Sequence, residues 1–295
     1  MVTPFTDDGA LDLDGAARLA SHLVDAGNDG LVINGTTGEA PTTSGAEKVQ
    51  LLRTVLGAVG DRAQVIAGVG TNDTDHAVEL AHSAQTAGAH GLLVVTPYYS
   101  KPPQAGLLRH FTAAADATEL PVMLYDIPGR SAVPIETETL IRLAEHPRIL
   151  AVKDAKGDLG ATSWVMARSD LAYYSGEDML NLPLLSIGAV GFVSVVGHVA
   201  AARLRVMLDA FEAGDVTTAR AVHQRLLPAY TGIFRTQGVI SVKAALSAMG
   251  LPGGPVRSPL VDATSQQREQ LAADLAAAGI STTIIPTTTS PDSTC

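Results

Sequence analysis

The sequence predicts an α/β fold: a (β/α)8 TIM barrel carrying a small, all-helical C-terminal appendix. Three observations lead there. Short apolar runs at 2–5, 30–34, 64–69, 91–96, 121–127, 149–154, 171–175 and 191–196 alternate with longer segments of helical period, such as 13–26, 45–59, 74–87 and 134–145. A glycine-stopped helix followed by a buried strand also recurs. Ala26-Gly27-Asn28-Asp29-Gly30-Leu31-Val32 is echoed by Ala87-Gly88-Ala89-His90-Gly91-Leu92-Leu93, and Gly188-Ala189-Val190-Gly191-Phe192-Val193 echoes both. The first two copies lie 61 residues apart, which suits two βα units of about 30 residues each. After about residue 213 the strands stop, and 216–230, 239–249 and 264–278 read as helices alone. Eight βα units point to a closed barrel, with a doubly wound open sheet as the alternative, because strand count by itself does not establish closure. The chain thus divides into a barrel over 1–214, a helical domain over 215–280 and a tail over 281–295. That tail is rich in Ser, Thr and Pro without amphipathic period, and is read as disordered.

Composition narrows the function. With 46% hydrophobic and 17% charged residues in 295, the chain can bury a large core. A net charge of −10 argues against nucleic acid or an anionic membrane as partner, so an anionic substrate needs local positive groups. The only cysteine, Cys295, is the last residue, which excludes a disulfide framework and a cysteine-based metal site and fits a reducing cytoplasm. The first residues show neither a basic nor an apolar signal region, and the most apolar window, 188–204, is Gly-rich and broken by Ser194 and His198. The eight histidines include no i,i+4 pair and no HxH, so a metal site is not expected. Gly68-Val69-Gly70-Thr71-Asn72-Asp73 lacks the third glycine of a dinucleotide fingerprint.

One residue stands out against its surroundings. Ile149-Leu150-Ala151-Val152 reads as a buried strand after a helix-stopping His146-Pro147, and it runs into Lys153. Burial disfavours the ammonium and pulls a lysine down from about 10.4; a drop to roughly 7–8 gives an amine nucleophile. Three pKa units correspond to about 4 kcal/mol. The alternatives are a strand-end lysine snorkelling to water, or one paired with Asp154 or Asp178. Of the five lysines (Lys48, Lys101, Lys153, Lys156, Lys243), only Lys153 follows a buried-strand pattern.

In a barrel the chemistry sits at the strand C-terminal ends. Those ends carry Asn34-Gly35-Thr36-Thr37-Gly38-Glu39, Thr96-Pro97-Tyr98-Tyr99, Tyr125-Asp126-Ile127-Pro128-Gly129-Arg130, Lys153, Ser175-Gly176-Glu177-Asp178 and Val196-Gly197-His198. Gly35-Thr36-Thr37-Gly38 is either a seat for a carboxylate, with free N–H groups and hydroxyls, or a plain tight turn. Tyr125 alone would be a packed ring with a satisfied hydroxyl. Their convergence on one rim with a buried lysine and an arginine favours a site.

The joint occurrence of GTTGE (35–39), VTPYY (95–99), LYDIPGR (124–130) and VKDAKGD (152–158) resembles the dihydrodipicolinate synthase family, within the N-acetylneuraminate lyase superfamily of Schiff-base pyruvate enzymes. The resemblance covers about residues 1 to 280. It implies a barrel with a helical C-terminal domain, a homotetramer of two tight dimers, and no cofactor beyond a covalent imine with pyruvate. The implied reaction condenses pyruvate with L-aspartate-4-semialdehyde on the way to lysine and diaminopimelate. Carried over, Lys153 forms the imine and Tyr125 acts as general acid/base, in a relay with Thr36 and with Tyr99 from the neighbouring subunit. Thr36 and Thr37 receive the pyruvate carboxylate, Arg130 holds the carboxylate of the aldehyde, and backbone near Gly176 and Val193 shapes the pocket. An iminium on Lys153 is an electron sink, and enamine formation needs a nearby base, so the chemistry agrees.

Two departures carry expectations. The family chain begins several residues earlier, which leaves the first strand clipped at Met1. Lysine-inhibited members carry His and Glu at positions matched here by Gly45, Lys48 and His76, beside Asn72 and Tyr98, so weak or absent inhibition by lysine is expected. The rival reading is another pyruvate lyase of the superfamily, acting on sialic acid or a 2-keto-3-deoxy sugar acid; Arg130 favours a short, carboxylate-bearing aldehyde instead. A non-catalytic binder on the same barrel would be expected to lack Lys153 or Tyr125, and both are present.

Overall fold

Each strand of this chain pairs in parallel with the next one in sequence. The computed structural model describes residues 1–282. Its strands are β1 (Gly30–Ile33), β2 (Gln64–Gly68), β3 (Gly91–Val95), β4 (Val122–Asp126), β5 (Ile149–Asp154), β6 (Ala172–Ser175) and β7 (Gly191–Phe192), in the order β1-β2-β3-β4-β5-β6-β7. A parallel neighbour requires a crossover. After α1 (Leu13–Asp25), which precedes β1, helices supply it: α2 (Gly45–Val59), α3 (Thr74–Ala87), α4 (Gln104–Asp116), the single turn α5 (Pro128–Ser131), α6 (Thr137–Leu143), α7 (Leu159–Met166) and α8 (Asn181–Ser186), and α9 (Gly197–Glu212) follows β7. Then α10 (Val216–Ile233), α11 (Gly238–Ala248) and α12 (Ser265–Ala277) follow without strands between them.

Local chemistry sets the helix starts. Ser44 and Glu47 form a reciprocal capping box on α2, Thr264 and Gln267 do the same on α12, and the Asp73 carboxylate accepts from Asp75 N and His76 N at the head of α3. Leu19, Leu23, Leu51, Val55 and Phe111 turn from the helices toward Ile33, Val65, Leu92 and Leu124 of the strands, all buried in one core. The helical end is fastened by charge as well as packing. Arg235 binds Asp274 of α12 in a two-pronged contact (Nε 2.5 Å, Nη2 3.0 Å), and Arg203 of α9 donates to the carbonyls of Ala278 and Gly279.

Two expectations need correction. The described sheet has seven strands, where eight were expected. Residues 2–5 form only an isolated antiparallel bridge, Phe5 with Leu11. The segment lies beside β1, with the Met1 nitrogen donating to Val32 O (2.7 Å), but on its other side Val2 N donates to a side chain, His198 Nε2 (3.0 Å). Pro4 then has no N–H to continue a ladder. The strand expected at 191–196 stops at Phe192: Val193 N still donates to Ser175 O (2.7 Å), but beyond it the buried Asp178 carboxylate takes Ser194 Oγ, Val195 N (3.0 Å) and Val196 N (3.0 Å). Those bonds turn the chain into α9. Most of the tail expected at 281–295 lies outside the described residues, as does Cys295.

His198 is buried, and its ring is read twice: Nδ1–H donates to Val195 O (2.8 Å) while Nε2 accepts from Val2 N. Burial, then the positive charge at the chain's first nitrogen, pushes its pKa down from 6.5 to about 3 against the pull of Val195 O. The unfolded chain therefore gains a proton below 6.5 that the folded chain refuses, and stability present above 6.5 drains away as the pH falls toward 3. From pH 7.5 to 5.0 this one group should remove about 2 kcal/mol. Urea unfolding at both pH values should show a wild-type loss exceeding that of His198→Asn by roughly this amount. Equal losses would refute it.

Candidate active site

The register of two strands brings the central pair together. Tyr125 of β4 stands opposite Lys153 of β5, and Lys153 opposite Tyr174 of β6. Equal register on parallel strands puts these side chains on the same face. Lys153 and Tyr125 are both buried, at 8% and 5% exposure, and the lysine Nζ lies 4.0 Å from the centre of the tyrosine ring. Among the described residues no carboxylate pairs with Lys153. Asp154 is spent on Lys156 N (2.8 Å), Gly157 N (3.2 Å) and Thr162 Oγ1 (2.5 Å); Asp178 is spent at the head of α9. The two ion-pair partners considered from sequence are thus occupied elsewhere.

Other lysines are held differently. Lys156 Nζ pairs with the buried Asp126 (3.1 Å) and donates to Ile135 O (3.2 Å). Burial raises Asp126 above the usual carboxylate range, and Lys156 opposes that rise. Asp126 Oδ1 also accepts from Ile135 N (3.1 Å), so this pair ties the end of β4 to the loop after β5. Lys48 donates to Ala40 O (2.8 Å), Thr43 O and Thr43 Oγ1 (3.0 Å), and Lys243 pairs with Glu39 (2.7 Å). Lys153 is the buried lysine whose amine meets no acceptor among the described residues.

Thr36, Tyr125 and Arg130 line one cavity of about 490 Å³, together with Tyr98, Lys48 and His76. Arg130 sits on the exposed turn α5, which begins at Pro128, where the missing N–H of proline costs nothing. Thr37 lies half-buried on the same loop as Thr36 but does not line this cavity. Gly176 packs on Lys153 itself. A Cβ added there would come within 2.9 Å of the lysine Cγ and Cε, so only glycine leaves that side chain its path. Val193 donates to Ser175 O (2.7 Å) and faces a second cavity of about 390 Å³, which Tyr174 also lines.

Tyr99 is not brought to the site within one chain. It is 90% exposed, on left-handed backbone (φ 73°), and does not line the cavity that Tyr98 lines. The pairing of Asp126 with Lys156 and the flanking Tyr174 were not foreseen from sequence. Both carried a signal: Asp126 and Lys156 fall inside LYDIPGR and VKDAKGD, and Tyr174 ends an apolar run beside Ser175. Among the described residues no group of three or more His, Cys, Asp or Glu could hold a metal ion.

This arrangement has close counterparts. The family model for the dihydrodipicolinate synthetase family matches residues 1–278. The chain is 70% identical over 280 residues to 4-hydroxy-tetrahydrodipicolinate synthase 2 of Streptomyces coelicolor, covering 95% of this chain and 94% of that one. The crystal structure of the dihydrodipicolinate synthase of Cyanidioschyzon merolae with lysine bound superposes with a TM-score of 0.92 at 41% identity, covering 95% and 96% of the two chains. The chloride-inhibited enzyme of Acinetobacter baumannii, complexed with pyruvate, superposes with a TM-score of 0.91 at 37% identity, covering 95% and 97%. The chain belongs to the dihydrodipicolinate synthetase family.

Proposed function

We propose that this chain condenses pyruvate with L-aspartate-4-semialdehyde through an imine on Lys153, as a lyase of lysine and diaminopimelate synthesis. The observation that carries the reading is the in-register pair: a buried lysine without a carboxylate partner, its amine 4.0 Å from the centre of the Tyr125 ring. The neutral amine attacks the ketone carbon of pyruvate, water leaves, and the resulting iminium withdraws electrons from the neighbouring methyl. Tyr125, in a relay with Thr36 and Tyr99, takes the methyl proton to give an enamine, whose carbon bonds to the aldehyde. Thr36 and Thr37 receive the pyruvate carboxylate; Arg130, on the exposed turn, meets the carboxylate of the aldehyde. Gly176 keeps the path of Lys153 open, and Val193 supports the wall behind it. No separate cofactor or metal enters these steps.

The architecture we infer is a barrel over 1–214 whose seven-stranded sheet is closed by the first residues, a helical domain over 215–280 and a tail over 281–295. The bonds from Met1 to Val32 and from Val2 to His198 support closure, since they seat the first residues between β1 and the start of α9. We also infer a cytoplasmic homotetramer built from two tight dimers, acting on small molecules without nucleic acid or membrane partners. Among the described residues no helix is long and apolar enough to cross a membrane.

Borohydride added with pyruvate should fix one reduced pyruvate on the Lys153 peptide, and the chain should turn over the semialdehyde but not N-acetylmannosamine. Arg130→Ala should keep the trapping and lose roughly 2–4 kcal/mol in kcat/KM for the semialdehyde. Labelling at Lys156 or Lys243, or unimpaired condensation by the variant, would overturn the assignment.

Tyr99 enters the relay from a second copy of the chain. Its exposed ring on left-handed backbone supports that reading. Tyr99→Phe and Lys153→Ala should each be nearly inactive. Co-refolded, they should recover activity in mixed dimers, and mixed dimers that stay inactive would put Tyr99 back in its own chain.

Lysine inhibition should be weak or absent. The cavity is lined by His76 and by Lys48, whose ammonium already occupies Ala40 O and Thr43; Gly45, which lies outside it, has no side chain to offer, and these three positions are the ones where inhibited members carry His and Glu. An incoming lysine then lacks partners that offset its desolvation. A lysine titration of the assay should leave the rate flat, and strong inhibition below about 1 mM, where binding exceeds about 4 kcal/mol, would contradict this.

A further inference from the structure

The loop that carries Thr36 and Thr37 is pinned at both ends by residues in left-handed backbone, Asn34 (φ 61°) and Glu39 (φ 56°). A side-chain-bearing residue holds that conformation only where its surroundings impose it. At Asn34 the constraint is local: its Nδ2 donates to Lys48 O (3.2 Å). At Glu39 it comes from the far end of the chain. The Glu39 side chain is 1% exposed, and its Oε1 lies 2.7 Å from the Nζ of Lys243 on α11, itself 3% exposed. Its Oε2 accepts the backbone N–H of Arg257 (2.9 Å).

Lys243 is fixed in turn. Its Nζ donates to Pro255 O (2.6 Å) and lies 4.3 Å from the centre of the Phe5 ring, while the Arg257 guanidinium covers that ring at 4.1 Å. Arg257 also grips Gly9 O (2.7 Å), Thr42 O (2.7 Å) and both Glu47 oxygens (2.6 and 3.1 Å). Inside the loop, Glu39 N donates to Thr36 O (3.1 Å) and Gly38 N to Gly35 O (3.0 Å). Contact therefore runs unbroken from α11 through a buried ion pair to the backbone of Thr36. Burial lowers the Lys243 pKa, and the Glu39 carboxylate opposes that lowering.

We propose that Lys243 is a positioning residue: by holding Glu39, it sets the spacing of the Thr36 and Thr37 hydroxyls, so the helical region tunes the affinity for pyruvate. The proposal rests on the reading of Thr36 and Thr37 as the seat of the pyruvate carboxylate. A pair serving stability alone would leave that affinity unchanged.

The test uses the full chain with Lys243→Met, Glu39→Gln and the double variant. Each single change should raise the pyruvate KM about tenfold while the semialdehyde KM moves less than about twofold. The double should be no worse than the worse single, because both remove one shared contact. Borohydride trapping against pyruvate concentration should shift in parallel, without the second substrate present. A lowered melting temperature with an unmoved pyruvate KM would overturn the proposal, as would multiplicative effects in the double. If Lys243→Met does not fold, Glu39→Gln, which keeps size and one acceptor, carries the same readouts. Wild-type trapping at Lys153 beside unshifted variants defeats this proposal alone; no wild-type trapping defeats the catalytic reading beneath it.

Discussion

Everything at the site depends on the parallel register between β4 and β5. It sets Tyr125 against Lys153, then Lys153 against Tyr174, so a lysine side chain is flanked by two tyrosines inside an apolar sheet. A parallel ladder admits this only at one register, since a slip of one residue would turn Lys153 to the helix side. The bulge between Val122 and Met123 lies upstream of the pair, so the irregularity is absorbed before Tyr125 is reached. Gly176 completes the constraint from β6 by leaving the lysine stem unobstructed.

Around that centre, charge is handled in two ways. Asp126 with Lys156, and Glu39 with Lys243, are buried pairs whose members neutralise one another. Removing one partner from such a pair costs about 3–5 kcal/mol, because the other is left charged and dry. Asp154 and Asp178 are instead neutralised by backbone N–H groups and hydroxyls at the heads of loops and helices. These arrangements consume the nearby carboxylates as structural partners. Lys153 is left without one among the described residues.

The helical region beyond residue 213 is joined to the strand ends rather than appended to them. Phe5, lying under Lys243 and Arg257, is the meeting point of the first residues, the loop at 35–39 and the segment at 250–257. There the backbone of Gly254 passes so near Phe5 O that an added Cβ would lie 1.8 Å from it, and its φ of 64° is one that glycine adopts freely. Packing this close makes the strand-end loops and α11 one mechanical unit.

Helix placement was legible in the sequence because its causes are local. The spans expected at 45–59 and 74–87 coincide with α2 and α3, where Ser44 with Glu47 and Asp73 with Gly88 write the ends into the chain. The alternation of strands and helices, and Lys153 and Tyr125 as neighbours on one rim, were legible for the same reason: buried runs and strand ends have residue signatures. Local pattern does not encode what caps or interrupts a strand from elsewhere. The first apolar run, 2–5, forms no ladder because its partner on one side is the imidazole of His198, 196 residues away. The run at 191–196 ends early because Asp178 captures its amides. Nor does spacing reveal that Glu39 answers to Lys243 and Arg257, or that Tyr99 points away from its own chain's cavity. Sequence by itself determined where the helices run and that strands alternate with them, through periodicity and capping. Tertiary structure alone decided which charges are paired, because burial makes an ion pair obligatory only once distant segments have met.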